Sequence, residues 1–169
     1  MTGRKGAASA TGFDCIIALG SNLGDKTGNI DRAIELLTAS GDVSLVGRSR
    51  NFATDPWGKL DQAWFVNACI AVATTLLPRE LLVRCKDIER RMGRVAAEKW
   101  GPRVIDLDLL IYRDSVLHEP DLVLPHPHMG ERAFVLVPLM DIAPDLIVRG
   151  KNVRELIDAI DKGGVRPLA

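Results

Sequence analysis

The apolar residues of this chain fall into tracts of two different periods. Residues 14–20 (DCIIALG) make a short, almost continuous apolar run ending at a glycine, the pattern of a buried strand entering a turn. In residues 28–40, Ile30, Ala33, Ile34 and Leu37 recur at helical spacing, which predicts an amphipathic helix with that face buried. Residues 43–54 (VSLVGRSRNFAT) read as one rather polar, partly exposed strand, and 55–62 (DPWGKLDQ) as a Pro/Gly loop. Residues 63–76 (AWFVNACIAVATTL) follow as a long strand. Pro78 stands at the tolerated first turn of a second helix, on which Leu81, Leu82, Cys85, Ile88 and Met92 share a face. A loop over 93–102 then feeds a last apolar tract, 104–112 (VIDLDLLIY), read as a buried strand. The order predicts an α+β fold: a ferredoxin-like βαββαβ core with helices packed on an antiparallel-rich sheet. Downstream come a Pro/His loop (124–130), an apolar segment (133–144, AFVLVPLMDIAP) and an amphipathic helix near 152–161.

Composition narrows the partners. The chain has 169 residues, enough for one domain with its own core. Twenty-two Lys+Arg balance 22 Asp+Glu, so no global field recruits a nucleic acid or a membrane surface, and any basic site is local. No apolar run approaches the roughly 20 residues of a membrane span. Residues 1–12 (MTGRKGAASATG) are small, polar and Gly/Ala-rich without a signal-like apolar stretch, and 1–13 are expected to be a disordered extension ahead of a single domain, 14–169. Three widely spaced cysteines (Cys15, Cys69, Cys85) suit free thiols in a reducing cytoplasm. A cytoplasmic monomer is expected.

The candidate chemistry begins with a contradiction. The strand over 104–112 carries two carboxylates, Asp106 and Asp108, one residue apart. Alternation puts both on one face, with Cα atoms about 6.5–7 Å apart at ~3.3 Å rise per residue. Two like charges on a half-buried face need positive partners. Arginines are one solution. Mg²⁺ is the other, since it takes one or two carboxylates and leaves its remaining positions to water and phosphate, and a pair of metals bridged by such carboxylates serves phosphoryl transfer. From Arg84 to Arg103 there are seven Lys/Arg against three acids; Arg94, Lys99 and Arg103 lie in or beside the glycine-containing loop that leads into the aspartates. Carboxylates for metal beside cations for phosphate oxygens make a phosphoryl-transfer constellation.

A second constellation suits a flat ligand. Phe65 and Asn67 share a strand face, offering a ring to stack on and an amide with both donor and acceptor. Their plain alternative is a core aromatic and an amide satisfying loose backbone. Trp57, Trp100 and Phe134 lie in or beside Pro/Gly-containing segments and add aromatic surface. GSNLGDKT (20–27) resembles a phosphate-binding loop but has three residues between its glycines rather than four, and Asp25 interrupts the Gly-Lys pair. It reads as a tight strand-to-helix turn whose polar side chains satisfy local backbone groups. His126 and His128 alternate, but with no third soft ligand they do not make a zinc site; His126, with Arg132 behind it, suits a phosphate or nucleotide contact. His118 is expected in a solvent turn.

Taken together, ALGSNLGD, T-D-P-W-G with Q-x-x-F-x-N, IERRMGR, WGPRVIDLDLL and LPHPHMGERAFVLVPLMDIAP resemble the 6-hydroxymethyl-7,8-dihydropterin pyrophosphokinases of folate biosynthesis, in family order from about Ile16 to Leu146. The resemblance implies that the alcohol of 6-hydroxymethyl-7,8-dihydropterin attacks the β-phosphorus of ATP and AMP leaves. Asp106 and Asp108 would hold two Mg²⁺ ions. Thr54, Pro56 and Trp57 would line the pterin pocket, Asn67 would read the pterin edge, and Phe65, Trp100 and Phe134 would flank the ring. Arg94, Trp100 and Arg103 would belong to a loop that closes over the substrates, with Arg94 and Arg103 catalytic alongside the aspartates. Glu89, Leu109, His126 and Arg132, with Arg94, Trp100 and Arg103, would serve ATP. The chain departs from the pattern at Ala96 and Ala97, where further basic residues can occur, at Pro127, where tyrosine occurs, and at Lys86, where glutamine occurs. Two other readings differ in class. A non-catalytic regulatory domain of this fold would not need the paired aspartates, and an RNA-recognition module would need exposed aromatics and a basic sheet face that the sequence lacks.

Overall fold

The computed structural model describes residues 12–56, 61, 63–93 and 102–168. Its elements are β1 (Cys15–Ser21), α1 (Lys26–Thr38), β2 (Val43–Arg48), β3 (Phe52–Thr54), β4 (Phe65–Thr74), α2 (Pro78–Arg91) and β5 (Asp106–Tyr112). They are followed by β6 (Leu117–Glu119), β7 (Leu122–Leu124), a 3₁₀ turn (Met129–Glu131), α3 (Ala133–Ile142), β8 (Ile147–Val148), β9 (Lys151–Asn152), α4 (Val153–Asp158) and β10 (Val165–Pro167). The main sheet runs β10-β3-β4-β1-β5, with β2 also on β4 and all pairs antiparallel. Four strands with β1 central, and two helices between them, are the ferredoxin-like core that the apolar pattern predicts.

Two apolar layers sandwich this sheet. Cys15, Ile17 and Leu19 of β1, Val66, Ala68, Ile70 and Val72 of β4, and Leu107 and Leu109 of β5 face α1 and α2. The helices answer with Ile30, Ala33, Ile34 and Leu37, and with Leu81, Leu82, Cys85 and Ile88, all buried, while Met92 packs at the margin. The opposite face buries Ile16, Cys69, Ala71, Leu110 and Ile111 under α3 and α4. An irregularity in the β1–β5 ladder between Ile16 and Ile17 leaves Leu110 without a partner in β1. Hence Leu110 and Ile111 both reach the α3 layer. Phe13 is buried in that same layer; residues 1–11 of the expected extension lie outside the described residues. All three cysteines are free and buried, and burial pushes the Cys85 thiol up to about 12, so it is not a reactive nucleophile.

The structure corrects several boundaries. The single strand expected over 43–54 is two strands that share one edge of β4, β2 on Ile70–Thr74 and β3 on Phe65–Asn67. Between them Ser49 turns inward, donating its N–H to Cys69 O (2.9 Å) while its Oγ accepts from Cys69 N (2.9 Å). The strand expected over 63–76 is confined to Phe65–Thr74, and that over 104–112 begins at Asp106. His118, expected in a turn, lies exposed in the β6–β7 hairpin. The apolar segment at 133–144 is helix α3, and the last helix is Val153–Asp158, capped by Asn152 Oδ1 on Glu155 N (2.9 Å). The short strand β10 was not expected at all; it pairs with β3.

Candidate active site

Strand register builds the site. Directly opposed residues on neighbouring strands present side chains to one face. Phe52 of β3 pairs with Asn67 of β4, Asn67 with Gly20 of β1, and Gly20 with Asp106 of β5. The next row on that face is Cys69, Ala18 and Asp108. The first row therefore runs from the amide to the carboxylate across a glycine, two strand spacings or about 10 Å at ~4.8 Å each. The central strand contributes only Gly20 and Ala18 beside the aspartates, so the sheet face there is a shallow trough. This is the same face that α3 covers farther along, beginning at Cys69, whose Sγ lies 3.7 Å from Val135 O.

Each wall has an identifiable support. Asn67 is 9% exposed, and its Nδ2 donates to Thr54 Oγ1 at 2.6 Å; Thr54 is itself 2% exposed and pairs with the half-buried Phe65. That bond fixes the amide so that Oδ1 lies over Gly20. Pro56 is half-buried just beyond β3. Asp106 and Asp108 are half-buried on β5, and Arg103 Nε stands 3.7 Å from Asp106 Oδ1. Arginine thus faces both carboxylates, Arg103 beside Asp106 and Arg132 acting on Asp108 through its charge.

Glu89 has a definite place that the sequence alone did not suggest. It is 1% exposed on α2, and its Oε1 accepts the Leu107 N–H at 2.9 Å, while Lys86 Nζ lies 3.4 Å from Oε2. Leu107 sits between the two aspartates on the edge strand, so Glu89 satisfies an edge N–H and pins the strand beneath them. The Leu109 side chain is buried in the α1/α2 layer. His126 docks on β5 through its N–H to Leu110 O (2.7 Å). Burial lowers its imidazole pKa, against the opposing pull of the Asp108 charge, with Arg132, His128 and Arg149 adding to the depression. Burial likewise lowers the pKa of Arg132, opposed by Asp108 and Glu131, and its guanidinium lies over the Phe134 ring at 5.6 Å. Asp108, His126, Arg132 and Phe134 thus form one electrostatic neighbourhood. Trp57, Arg94, Lys99 and Trp100, and with them the expected closing loop and its Ala96 and Ala97, lie outside the described residues.

The donor set fits magnesium. Two carboxylates share a half-buried face beside a glycine, and among the described residues no cluster of three or more His, Cys, Asp or Glu forms a closed metal cage. An ion that keeps water and phosphate ligands needs no more from the protein.

Two residues of the site escaped the sequence reading. Gly20 reads as a turn glycine but stands in β1 where any Cβ would strike Asn67. Asn22 reads as a local turn residue, yet its Oδ1 accepts from Arg103 N (2.7 Å) and its Nδ2 donates to Ala63 O (3.1 Å). Local satisfaction does hold for Asp25, which caps α1 by accepting from Gly28 N (3.1 Å). The signal for Asn22 was available: a buried amide directly after a strand has to find partners, and the turn around it is already served by Asp25 and Asn29.

Known proteins resemble this chain over most of its length. Residues 16–144 match the family described as 7,8-dihydro-6-hydroxymethylpterin-pyrophosphokinase. A 2-amino-4-hydroxy-6-hydroxymethyldihydropteridine pyrophosphokinase of Methylorubrum extorquens is 48% identical over 149 residues, 88% of this chain and 94% of that protein. One from Pseudomonas aeruginosa is 41% identical over 90% of this chain and 94% of its own length. Among solved structures, a Plasmodium falciparum HPPK-DHPS with pteroate superposes with a TM-score of 0.68 at 16% identity, covering 86% of this chain. This chain spans 42% of that longer polypeptide, and the likeness concerns the fold.

Proposed function

The chain belongs to the 7,8-dihydro-6-hydroxymethylpterin pyrophosphokinase family and transfers pyrophosphate from ATP to the hydroxymethyl group of 6-hydroxymethyl-7,8-dihydropterin, releasing AMP, in folate biosynthesis; we propose how its own residues divide that work. Asn67 reads the hydrogen-bonding edge of the pterin, with Thr54 fixing the orientation of its amide. Phe65, Phe134 and Trp100 flank the ring, and Pro56 and Trp57 complete the pocket. Asp106 and Asp108 are the ligands for two Mg²⁺ ions. When bound, magnesium neutralises phosphate charge and polarises the oxygens between which the pyrophosphoryl group moves. Arg94 and Arg103 neutralise the charge that develops on the transferred group, and in a water-poor site fixed cations of this kind reduce the barrier most. His126, Arg132, Glu89 and the Leu109 backbone serve the nucleotide side, Glu89 by holding β5 in place.

The observation that carries this division is the Asn67–Gly20–Asp106 row. It supports a pterin lying along the trough with its ring edge at the amide and its hydroxymethyl arm toward the carboxylates, because about 10 Å separates the two ends. Proximity of this kind replaces a bimolecular encounter with a held geometry. Residues 14–169 act as one pyrophosphokinase domain and the protein works as a cytoplasmic monomer; its three buried free thiols support a reducing compartment. Among the described residues no helix is long and apolar enough to cross a membrane. The assay that tests the division supplies ATP, Mg²⁺ and the pterin alcohol to Asn67→Ala and Arg103→Ala. The first should raise the KM for pterin with little change for ATP, and the second should lower kcat. Reversed or equal effects would contradict it.

A further inference from the structure

We infer that Asn22 is a positioning residue for this site, tying the segment that carries Arg103 to the segment that leads into Phe65 and Asn67. The side chain is 1% exposed and acts in both directions. Its Oδ1 accepts from Arg103 N at 2.7 Å, its Nδ2 donates to Ala63 O at 3.1 Å, and its own N–H donates to Arg103 O at 3.0 Å. The two bonded segments lie 81 and 41 residues away along the chain. One is the approach to Asp106, the other the approach to the Phe65–Asn67 face, so a single amide spans the phosphate-handling and pterin-handling halves.

The turn that presents Asn22 is itself held. Asn29 Nδ2 donates to Leu23 O (2.7 Å) and Ser21 Oγ (3.1 Å), and Asp25 caps α1 from the same turn. Lys26 Nζ lies 3.6 Å from the centroid of the Trp64 ring, a second contact between this turn and the approach to β4. Only an amide fits the role. Aspartate keeps the acceptor for Arg103 N but sets a carboxylate oxygen against the Ala63 carbonyl, and alanine supplies neither partner. Asn22 touches no reacting atom; it acts through the placement of Arg103 beside Asp106 and of the pterin-facing strand.

This inference rests on the reading of Arg103 and Asn67 given above, and a double-mutant cycle separates the two. Asn22→Ala, Arg103→Ala and the double variant are assayed with ATP, Mg²⁺ and the pterin alcohol, well below each variant's Tm. Asn22→Ala should lower kcat roughly 10- to 100-fold, the cost of a displaced catalytic group, and raise the pterin KM. The double variant should turn over no more slowly than Arg103→Ala, because the effects share one route. Asn22→Asp should recover more of kcat than of the pterin KM, and it takes the place of alanine in the cycle where Asn22→Ala does not fold. Independent, multiplying losses would overturn the inference, as would a lowered Tm with unchanged kcat and KM. Wild-type kcat in Arg103→Ala would instead overturn the reading of Arg103 on which the inference depends.

Discussion

Asn67 and Gly20 face each other across the β1–β4 ladder, and a Cβ on Gly20 would stand 2.7 Å from Asn67 Oδ1. The glycine is there for the amide rather than for the backbone, since it lies inside a regular strand. Gly20→Ala should therefore push the Asn67 side chain off its bond to Thr54. The expected result is a rise of about tenfold in the pterin KM, the equivalent of one lost hydrogen bond at about 1.4 kcal/mol. Unchanged pterin KM would mean that the amide plays no part in binding.

Thr54→Val probes the same bond from its other end. Valine keeps the volume but removes the acceptor for Asn67 Nδ2, at 2.6 Å in the native protein. An amide donor left unpaired in a buried setting costs about 1–3 kcal/mol. The loss should appear in thermal stability and in pterin affinity together, with ATP affinity unmoved; calorimetry with each substrate checks this.

What was legible in the sequence follows from how local each cause is. The alternation that put Asp106 and Asp108 on one face, and the helical stripes of α1 and α2, depend on periodicities of a few residues, and all appear as read. The break between β2 and β3 did not, because its cause is Ser49 bonding across to Cys69 on another strand. β10 carries no apolar period of its own and exists through pairing with β3. Asn22 was misjudged because it spends its polar atoms on backbone groups far along the chain, and the Glu89 contact to Leu107 N was not legible for the same reason. Family resemblance supplied their motifs without their geometry.

Glu89 offers a discriminating pair of substitutions. Glu89→Gln retains an oxygen that accepts from Leu107 N, whereas Glu89→Ala leaves that N–H unpaired under the aspartates. Alanine should destabilise the protein by about 1–3 kcal/mol and raise the Mg²⁺ concentration needed for half-maximal rate. Glutamine should do much less of both. Equal loss of activity in the two variants would point to a direct role for the Glu89 charge.

Acid stability should report a pair far from the site. Arg84 donates to both Asp42 carboxylate oxygens (2.9 and 2.8 Å) and Ser40 to one (2.9 Å), and these bonds hold the Asp42 pKa at about 2, below its ordinary 3.8. The unfolded chain therefore binds this proton first, so the stabilisation is present above about pH 4 and is lost as pH falls toward 2. Asp42→Asn should be less stable than the native protein at neutral pH, and the difference should shrink through that window. Denaturant midpoints at stepped pH measure it. A constant difference down to pH 2 would show that the Asp42 charge is not what the Arg84 contact contributes.

The central claim is that Asp106 and Asp108 form the metal-binding pair, and the most direct test is product formation by Asp106→Asn and Asp108→Asn across a Mg²⁺ titration. With ATP and 6-hydroxymethyl-7,8-dihydropterin the native protein should release AMP and not ADP. Either variant should lose turnover at every Mg²⁺ concentration, with a Tm equal to or above native, because a metal ligand is gone while repulsion between neighbouring carboxylates is relieved. AMP release near the native rate at saturating Mg²⁺ in a folded variant would contradict the account.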